Sequence, residues 1–193
     1  MAATLPWAWP RISIDRFSGQ PEFKDTLEAR ALGATFDGVR IWSLYVPHGR
    51  GLDDPHMQYK LDFLDRLAAT TAEQLEMNPE LEIALVGDFN VAPLDSDVYD
   101  LSLFETHVSE PERDAFEAFE QIGLSDKVRE LVPEMYTYWD YKDLCFPKNN
   151  GMRIDFLLTS EALTERITAA SIERDERKGE LPSDHVPVVL TLS

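Results

Sequence analysis

Four short stretches of this sequence place polar groups where apolar runs end, and each could take part in chemistry. The sharpest is Gly87-Asp88-Phe89-Asn90, which follows Ile83-Ala84-Leu85-Val86. Alternate residues of an extended strand share a face, so Asp88 and Asn90 point the same way. Side-chain oxygens of this kind suit a hard cation such as magnesium. An isolated Asp-x-Asn is more commonly an Asx turn, here helped by Pro93. Ser183-Asp184-His185-Val186-Pro187-Val188 sets a carboxylate beside an imidazole just before the last apolar run. That adjacency can pair a metal-binding group with a general base or a phosphate contact. It can equally be a polar loop leading into an edge strand. In Arg153-Ile154-Asp155 the aspartate opens a strand and could orient a histidine, as the third group does in any base–orienter pair. The bland alternative is a surface Arg–Asp pair of little energetic weight. Tyr45, in Tyr45-Val46-Pro47-His48-Gly49, closes another apolar run. Its hydroxyl can donate to a phosphate, although a half-buried aromatic is the commoner role of tyrosine.

The elements that must carry these groups follow from periodicity and turn chemistry. Residues 29–36 and 39–47 read as two strands joined by Asp37-Gly38, a strong hairpin signal. Residues 56–77 read as a helix, with Tyr59, Phe63, Leu64, Leu67 and Leu75 near helical spacing. Asp53 and Asp54 favour its start and Asn78-Pro79 stops it. Residues 82–89 are a buried strand. Pro111 to Gly123 is a helix with a capping-type start and a glycine stop, and 125–131 is helical. Tyr136 to Trp139 is a short aromatic strand, and 140–152 a long loop rich in Lys, Asn and Gly. Ile154 to Thr159, 168–174 and 186–192 are strands, and Glu161 to Arg166 is a helical turn. Strands and helices mixed without strict βαβ alternation predict an α+β layered sandwich.

Composition bounds the rest. The chain has 193 residues, enough for one sizeable domain, and 44% are hydrophobic, an ordinary globular share. No apolar run approaches the roughly 20 residues of a membrane helix. Met1 to Pro10 is apolar but lacks the basic start of a signal peptide, so a cytoplasmic protein without a membrane partner is expected. The single cysteine, Cys145, excludes an internal disulfide and a cysteine-based zinc site. The net charge is −18, from 36 acidic and 18 basic residues. A protein that grips DNA mainly through phosphates is usually basic. The acidity suits instead a site that gathers carboxylates around a divalent cation, which reverses the local field, or simply a surface that keeps the protein dispersed.

The four stretches, in this order, resemble the endonuclease/exonuclease/phosphatase superfamily: Tyr45-x-Pro-x-Gly, Gly87-Asp-x-Asn, Arg153-Ile-Asp-Phe-Leu-Leu, and Ser183-Asp-His-x-Pro-Val. Tyr136-Thr-Tyr-Trp-Asp-Tyr141, the Gly151-Met-Arg-Ile-Asp loop and Pro111-Glu-Arg-Asp-Ala-Phe116 resemble bacterial exonuclease III more narrowly. The resemblance runs over residues 20–193 and leaves 1–19, with Trp7 and Trp9, unmatched. It implies a four-layer, two-sheet α/β (α+β) sandwich. It also implies a DNA phosphodiester hydrolase with 3′→5′ exonuclease and abasic-site endonuclease activity, acting in repair. Asp88 is then the general base or a metal ligand, or both. Asn90 steadies the phosphorane-like transition state and approaches the metal, and Asp184 is a metal ligand. His185 contacts the scissile phosphate, Asp155 orients His185, and Tyr45 binds phosphate. Tyr138, Trp139, Lys142, Lys148 and Arg153 lie along the DNA. The implied cofactor is Mg2+ or Mn2+, and the implied partner is double-stranded DNA with abasic sites or 3′ ends, met by a monomer.

The family pattern usually opens with an Asn-x-Asn strand and a strand ending in Gln-Glu, whose glutamate is the principal metal ligand. Neither occurs in these residues, and Glu22 and Glu28 fall in a later segment of the pattern. The expectation is therefore a domain shortened at its N-terminal side, with weakened metal binding and impaired hydrolysis. Two alternatives stay open: a DNA-binding fragment without activity, and a superfamily phosphatase acting on a small phosphorylated substrate. The Tyr136–Asp155 stretch speaks against the second.

Overall fold

The computed structural model describes residues 13–193; the Trp7 and Trp9 segment lies outside the described residues. The hairpin forms where the sequence places it. Strands β2 (Ala31–Phe36) and β3 (Val39–Tyr45) pair antiparallel, and Asp37 and Gly38 turn between them with φ of 49° and 87°. Both values are positive, as the tight turn of a right-twisted hairpin requires. β1 (Ser13–Arg16) extends this sheet on the β2 side.

Helix α1 (Pro55–Met77) then crosses over to β4 (Ile83–Asp88), which lies parallel to β3. The Asp54 side chain caps α1 by accepting from the His56 amide at 2.8 Å, with Pro55 in the first turn. Helix α2 (Glu110–Gln121) starts on a capping box between Ser109 and Glu112. α3 (Lys127–Leu131) leads on, and β5 (Asp155–Thr159) closes the sheet antiparallel to β4. The strand order is β1-β2-β3-β4-β5. After α5 (Glu161–Thr164), β6 (Ile167–Ile172) and β7 (Val188–Leu192) form a second, two-stranded antiparallel sheet.

Period-2 alternation divides the large sheet into two faces. Trp42, Leu44, Leu85, Phe156 and Leu158 point to one side, where Phe63, Leu64 and Leu67 of α1 and Phe116 and Phe119 of α2 cover them. Each such side chain fully removed from water contributes roughly 1.5–3 kcal/mol. Leu157 points to the other side, into a core shared with Val128, Trp139, Ile172, Val186 and Leu190 around the second sheet. Gly87 sits between Leu44 and Phe156 in the helix-facing row. Its φ is 137°, and a Cβ there would stand 2.1 Å from the Leu44 carbonyl oxygen, so only glycine fits. No described helix is long and apolar enough to cross a membrane.

Two expectations need correction. Tyr136–Trp139 is not a strand: Tyr138 alone makes isolated bridges, to Met152 on one side and His185 on the other. Its aromatic residues have strand propensity, but the Asp140 carboxylate accepts from the Lys142 amide at 2.8 Å and turns the chain before a ladder can grow. The 140–152 segment is likewise not all loop. It holds a helical turn, α4 (Cys145–Lys148), flanked by Leu144 and Asn149 in left-handed conformation.

Candidate active site

Strand register assembles the site. Tyr45, Asp88 and Asp155 are direct neighbours across β3, β4 and β5, in one row at the ends of three strands. The row lies on the face opposite α1 and α2, at an open cleft of about 790 Å³ that Tyr45, Asp88, Asn90, Tyr138, Asp184 and His185 line. Asp155 joins them through its carboxylate, which lies 2.8 Å from His185 Nδ1. The six residues to which the resemblance gives catalytic or metal-binding roles, Tyr45, Asp88, Asn90, Asp155, Asp184 and His185, thus meet in one place.

Thr137, fully buried, holds this corner together. Its hydroxyl accepts from the amides of Ile154 and Asp155, both at 3.1 Å, while its carbonyl accepts from the Val186 amide at 2.9 Å. The Trp139 amide donates to the Asp184 carbonyl at 2.9 Å. The aromatic segment is therefore the bolt between the Asp155 strand and the Asp184-His185 loop. Tyr138 lies over His185, ring centroids 4.9 Å apart.

The electrostatics follow from burial and crowding. Desolvation pushes the Asp88 carboxyl up to about 7, reinforced by the neighbouring Asp155 charge. Burial works against the charged form of His185, but its bond to Asp155 and the charges of Asp155, Asp88 and Asp184 prevail and raise its pKa. Burial, then the charges of Asp140 and Asp184, push Tyr138 up to about 12, so its phenol stays protonated. The Asn90 amide nitrogen is engaged by the Val46 carbonyl at 2.9 Å and by Asp88 at 3.1 Å. Its own backbone amide donates to Asp88 at 2.8 Å. No hydrogen bond among the described residues occupies the side-chain oxygen of Asn90, and Asn90 lines the cleft.

Among the described residues no three His, Cys, Asp or Glu side chains gather as a metal cage. Magnesium does not need one, being held by one or two carboxylates with water completing its shell. The carboxylates of Asp88 and Asp184 and the Asn90 oxygen are hard donors of that kind on one cleft. Asp88 is largely desolvated beside a second carboxylate, a crowding that a divalent cation would relieve. The residues fit such an ion.

The expected DNA-facing residues divide. Tyr138 and Lys142 line the cleft. Lys148 is exposed at the end of α4, away from the cleft lining. Trp139 is fully buried in the second core, and Arg153 is 2% exposed. The Arg153 guanidinium donates to the Val132 carbonyl at 2.9 Å and pairs with Asp126 at 3.4 Å. Neither side chain can lie along a strand of DNA, because each is a packed part of the interior. Arg50 and Tyr99 line the cleft instead, unforeseen in the sequence. Arg50 follows directly on the Tyr45–Gly49 stretch, which was the one available signal; Tyr99 gave none.

The sequence profile of the endonuclease/exonuclease/phosphatase family matches residues 6–185. The chain is similar to an exodeoxyribonuclease of Bacillus subtilis, 31% identical over 86% of this chain and 65% of that one. It therefore spans just under two thirds of that relative's length. Among solved structures it is similar to the 3′ phosphatase NExo from Neisseria bound to product DNA hairpin, with a TM-score of 0.84, 31% identity and coverage of 95% of this chain and 71% of the other. An AP endonuclease from Archaeoglobus fulgidus matches with a TM-score of 0.83, 31% identity and the same 95% and 71% coverage.

Proposed function

We propose a function from the premise that this chain belongs to the endonuclease/exonuclease/phosphatase family, in its exonuclease III and abasic-site endonuclease branch. The function is divalent-metal-dependent hydrolysis of DNA phosphodiesters, at 3′ ends and at abasic sites, by a monomer. One observation carries the reading. The Tyr45–Asp88–Asp155 row meets His185, bonded to Asp155, on a cleft with hard oxygen donors.

In-line hydrolysis needs an aimed water, donors for the phosphate oxygens and positive charge to balance the transition state. In the metal-free cleft the Asp88 carboxyl stands near 7, so its oxygen is a stronger base than that of an ordinary aspartate and can accept a proton from water. His185, whose protonated form the Asp155 bond favours, donates to a non-bridging phosphate oxygen. Asp155 also fixes which face the imidazole presents. Tyr45, 56% exposed at the strand mouth, donates its hydroxyl to the phosphate. Asp88, Asp184 and Asn90 would hold Mg2+ or Mn2+, which supplies Lewis-acid stabilisation of the developing charge. Tyr138 and Lys142 contact the strand beside the scissile bond.

A second reading, removal of a 3′-terminal phosphate from DNA, is supported by the similarity to the Neisseria 3′ phosphatase. The test is one panel: a duplex with a single abasic analogue, a duplex with a recessed 3′ end, a 3′-phosphorylated duplex, and a soluble inositol phosphate. Each is incubated with magnesium, manganese or EDTA. Cleavage of the DNA substrates only, abolished by EDTA, is expected. Turnover of the inositol phosphate alone, or DNA cleavage undiminished by EDTA, contradicts the proposal.

A further inference from the structure

We propose that Lys60 and Glu112, a buried ion pair behind the cleft, are positioning residues that hold the Asp88–Asn90 turn in its working conformation; this rests on the reading of the cleft as a hydrolase site. Asn90 has φ of 52°, the left-handed region, which asparagine tolerates better than most L-residues but which is still a minor conformation that neighbouring bonds must select. Its side chain and amide are tied to Val46 and Asp88, so the direction of its peptide fixes where the Asp88 and Asn90 oxygens point. The restraint arrives at its carbonyl, which accepts from Lys60 Nζ at 2.6 Å and from His107 Nδ1 at 2.5 Å.

Lys60 comes from the second turn of α1 and is fully buried. It pairs with Glu112 in the first turn of α2, also fully buried. Glu112 accepts in addition from the His107 amide at 3.0 Å and from the Ser109 hydroxyl at 2.6 Å. The two helices and the loop before α2 are thereby clamped onto one backbone atom of the site. Capping α2 needs only the Ser109–Glu112 box; it does not need a lysine inside the protein. Stability does not explain the pair either, since a buried ion pair seldom outperforms apolar residues of like volume. What it supplies is a charged donor aimed at the Asn90 carbonyl. Neither Lys60 nor Glu112 lines the cleft, so neither touches substrate.

The test is the full chain carrying Lys60→Met with Glu112→Gln, which preserves volume and leaves no unpaired charge. Two readouts are taken: the amide–Hα coupling and carbon shifts of Asn90 by NMR, and kcat and KM on the abasic duplex. The left-handed signature of Asn90 should be lost, with kcat down about 10–100-fold at little-changed KM, as for a misaimed rather than a missing group. Lys60→Gln with Glu112→Gln, which restores a donor, should recover most of kcat and the Asn90 signature. Unchanged Asn90 signals and kcat in the folded Met variant overturn the proposal. Should that variant not fold, Glu112→Gln alone carries the test: shifted Asn90 signals with several-fold lower kcat support it, and wild-type values overturn it. If the wild type cleaves nothing while Asn90 moves in the variant, the hydrolase reading falls and the positioning claim stands.

Discussion

At the residue scale the site is governed by two neighbouring carboxylates under unequal conditions. Asp155 is bonded to His185, whereas Asp88 is desolvated and pushed up to about 7. The consequence for stability has a definite sign. An aspartate raised from 3.8 to about 7 on folding binds protons more tightly in the native state. The native state is then favoured at low pH, and this contribution is lost as pH rises from about 4 to about 7. The full shift corresponds to about 4 kcal/mol at about 1.4 kcal/mol per unit, an upper bound for a site that can relax. His185 acts in the same direction, since its raised pKa favours the native state below it and ceases to do so above it. In EDTA, Asp88→Asn should therefore stabilise the protein at pH 8 by a few kcal/mol and much less at pH 5. Urea unfolding at the two pH values checks this, and equal effects at both would contradict the Asp88 assignment. For catalysis, kcat/KM should rise through about pH 7 at low metal concentration, with the limb moving to lower pH as metal loads beside Asp88. A pH profile recorded at several magnesium concentrations tests it, and a limb that stays fixed argues for another base.

At the element scale, the strand ends do the assembly. Much of this was legible: the Asp37-Gly38 turn, the apolar strand before Asp88 and the periodicity of α1 each announced an element that the structure contains. The convergence of Tyr45, Asp88 and Asp155 was also anticipated, because polar groups that end apolar strands fall at the rim of one sheet. The orientation of Trp139 and Arg153 was not legible. Which way a side chain faces in the 136–153 segment depends on bridges from Tyr138 to both Met152 and His185, long-range contacts that leave no local pattern. A residue kept buried in that way looks, in sequence, like an exposed loop residue. Gly87→Ala forces a Cβ into the Leu44 carbonyl and an L-residue into a φ of 137°. It should cost at least about 3 kcal/mol in urea unfolding and shift the β3–β4 register beneath Asp88. A loss below 1 kcal/mol would show that the strands yield more easily than their packing implies.

At the scale of the whole molecule, the charge of −18 sets the terms of any encounter with DNA. The cleft offers Arg50 and Lys142 to the phosphates, and Asp140 and Asp143 lie beside them. With Arg153 removed to the interior, fewer cations face the strand than the sequence suggested. Binding should thus depend weakly on salt, with a log–log slope of about −2 where a basic binder making many phosphate contacts shows −6 or steeper. Fluorescence anisotropy of a labelled duplex between low and moderate salt measures it. Metal affinity should be correspondingly modest, because among the described residues the carboxylates assigned to the ion are Asp88 and Asp184, with Asp155 engaged by His185; half-saturation by magnesium belongs in the millimolar range or above. Asp88 and His185 are the residues proposed to perform phosphodiester hydrolysis in this cleft. Single-turnover cleavage of a duplex bearing one abasic analogue, at saturating magnesium, tests this assignment most directly when wild type, Asp88→Asn and His185→Ala are compared. Strand cleavage by the wild type and a loss of roughly 10²–10⁴-fold in each variant are expected. Cleavage at the wild-type rate by either variant, with the fold intact, would contradict the assignment.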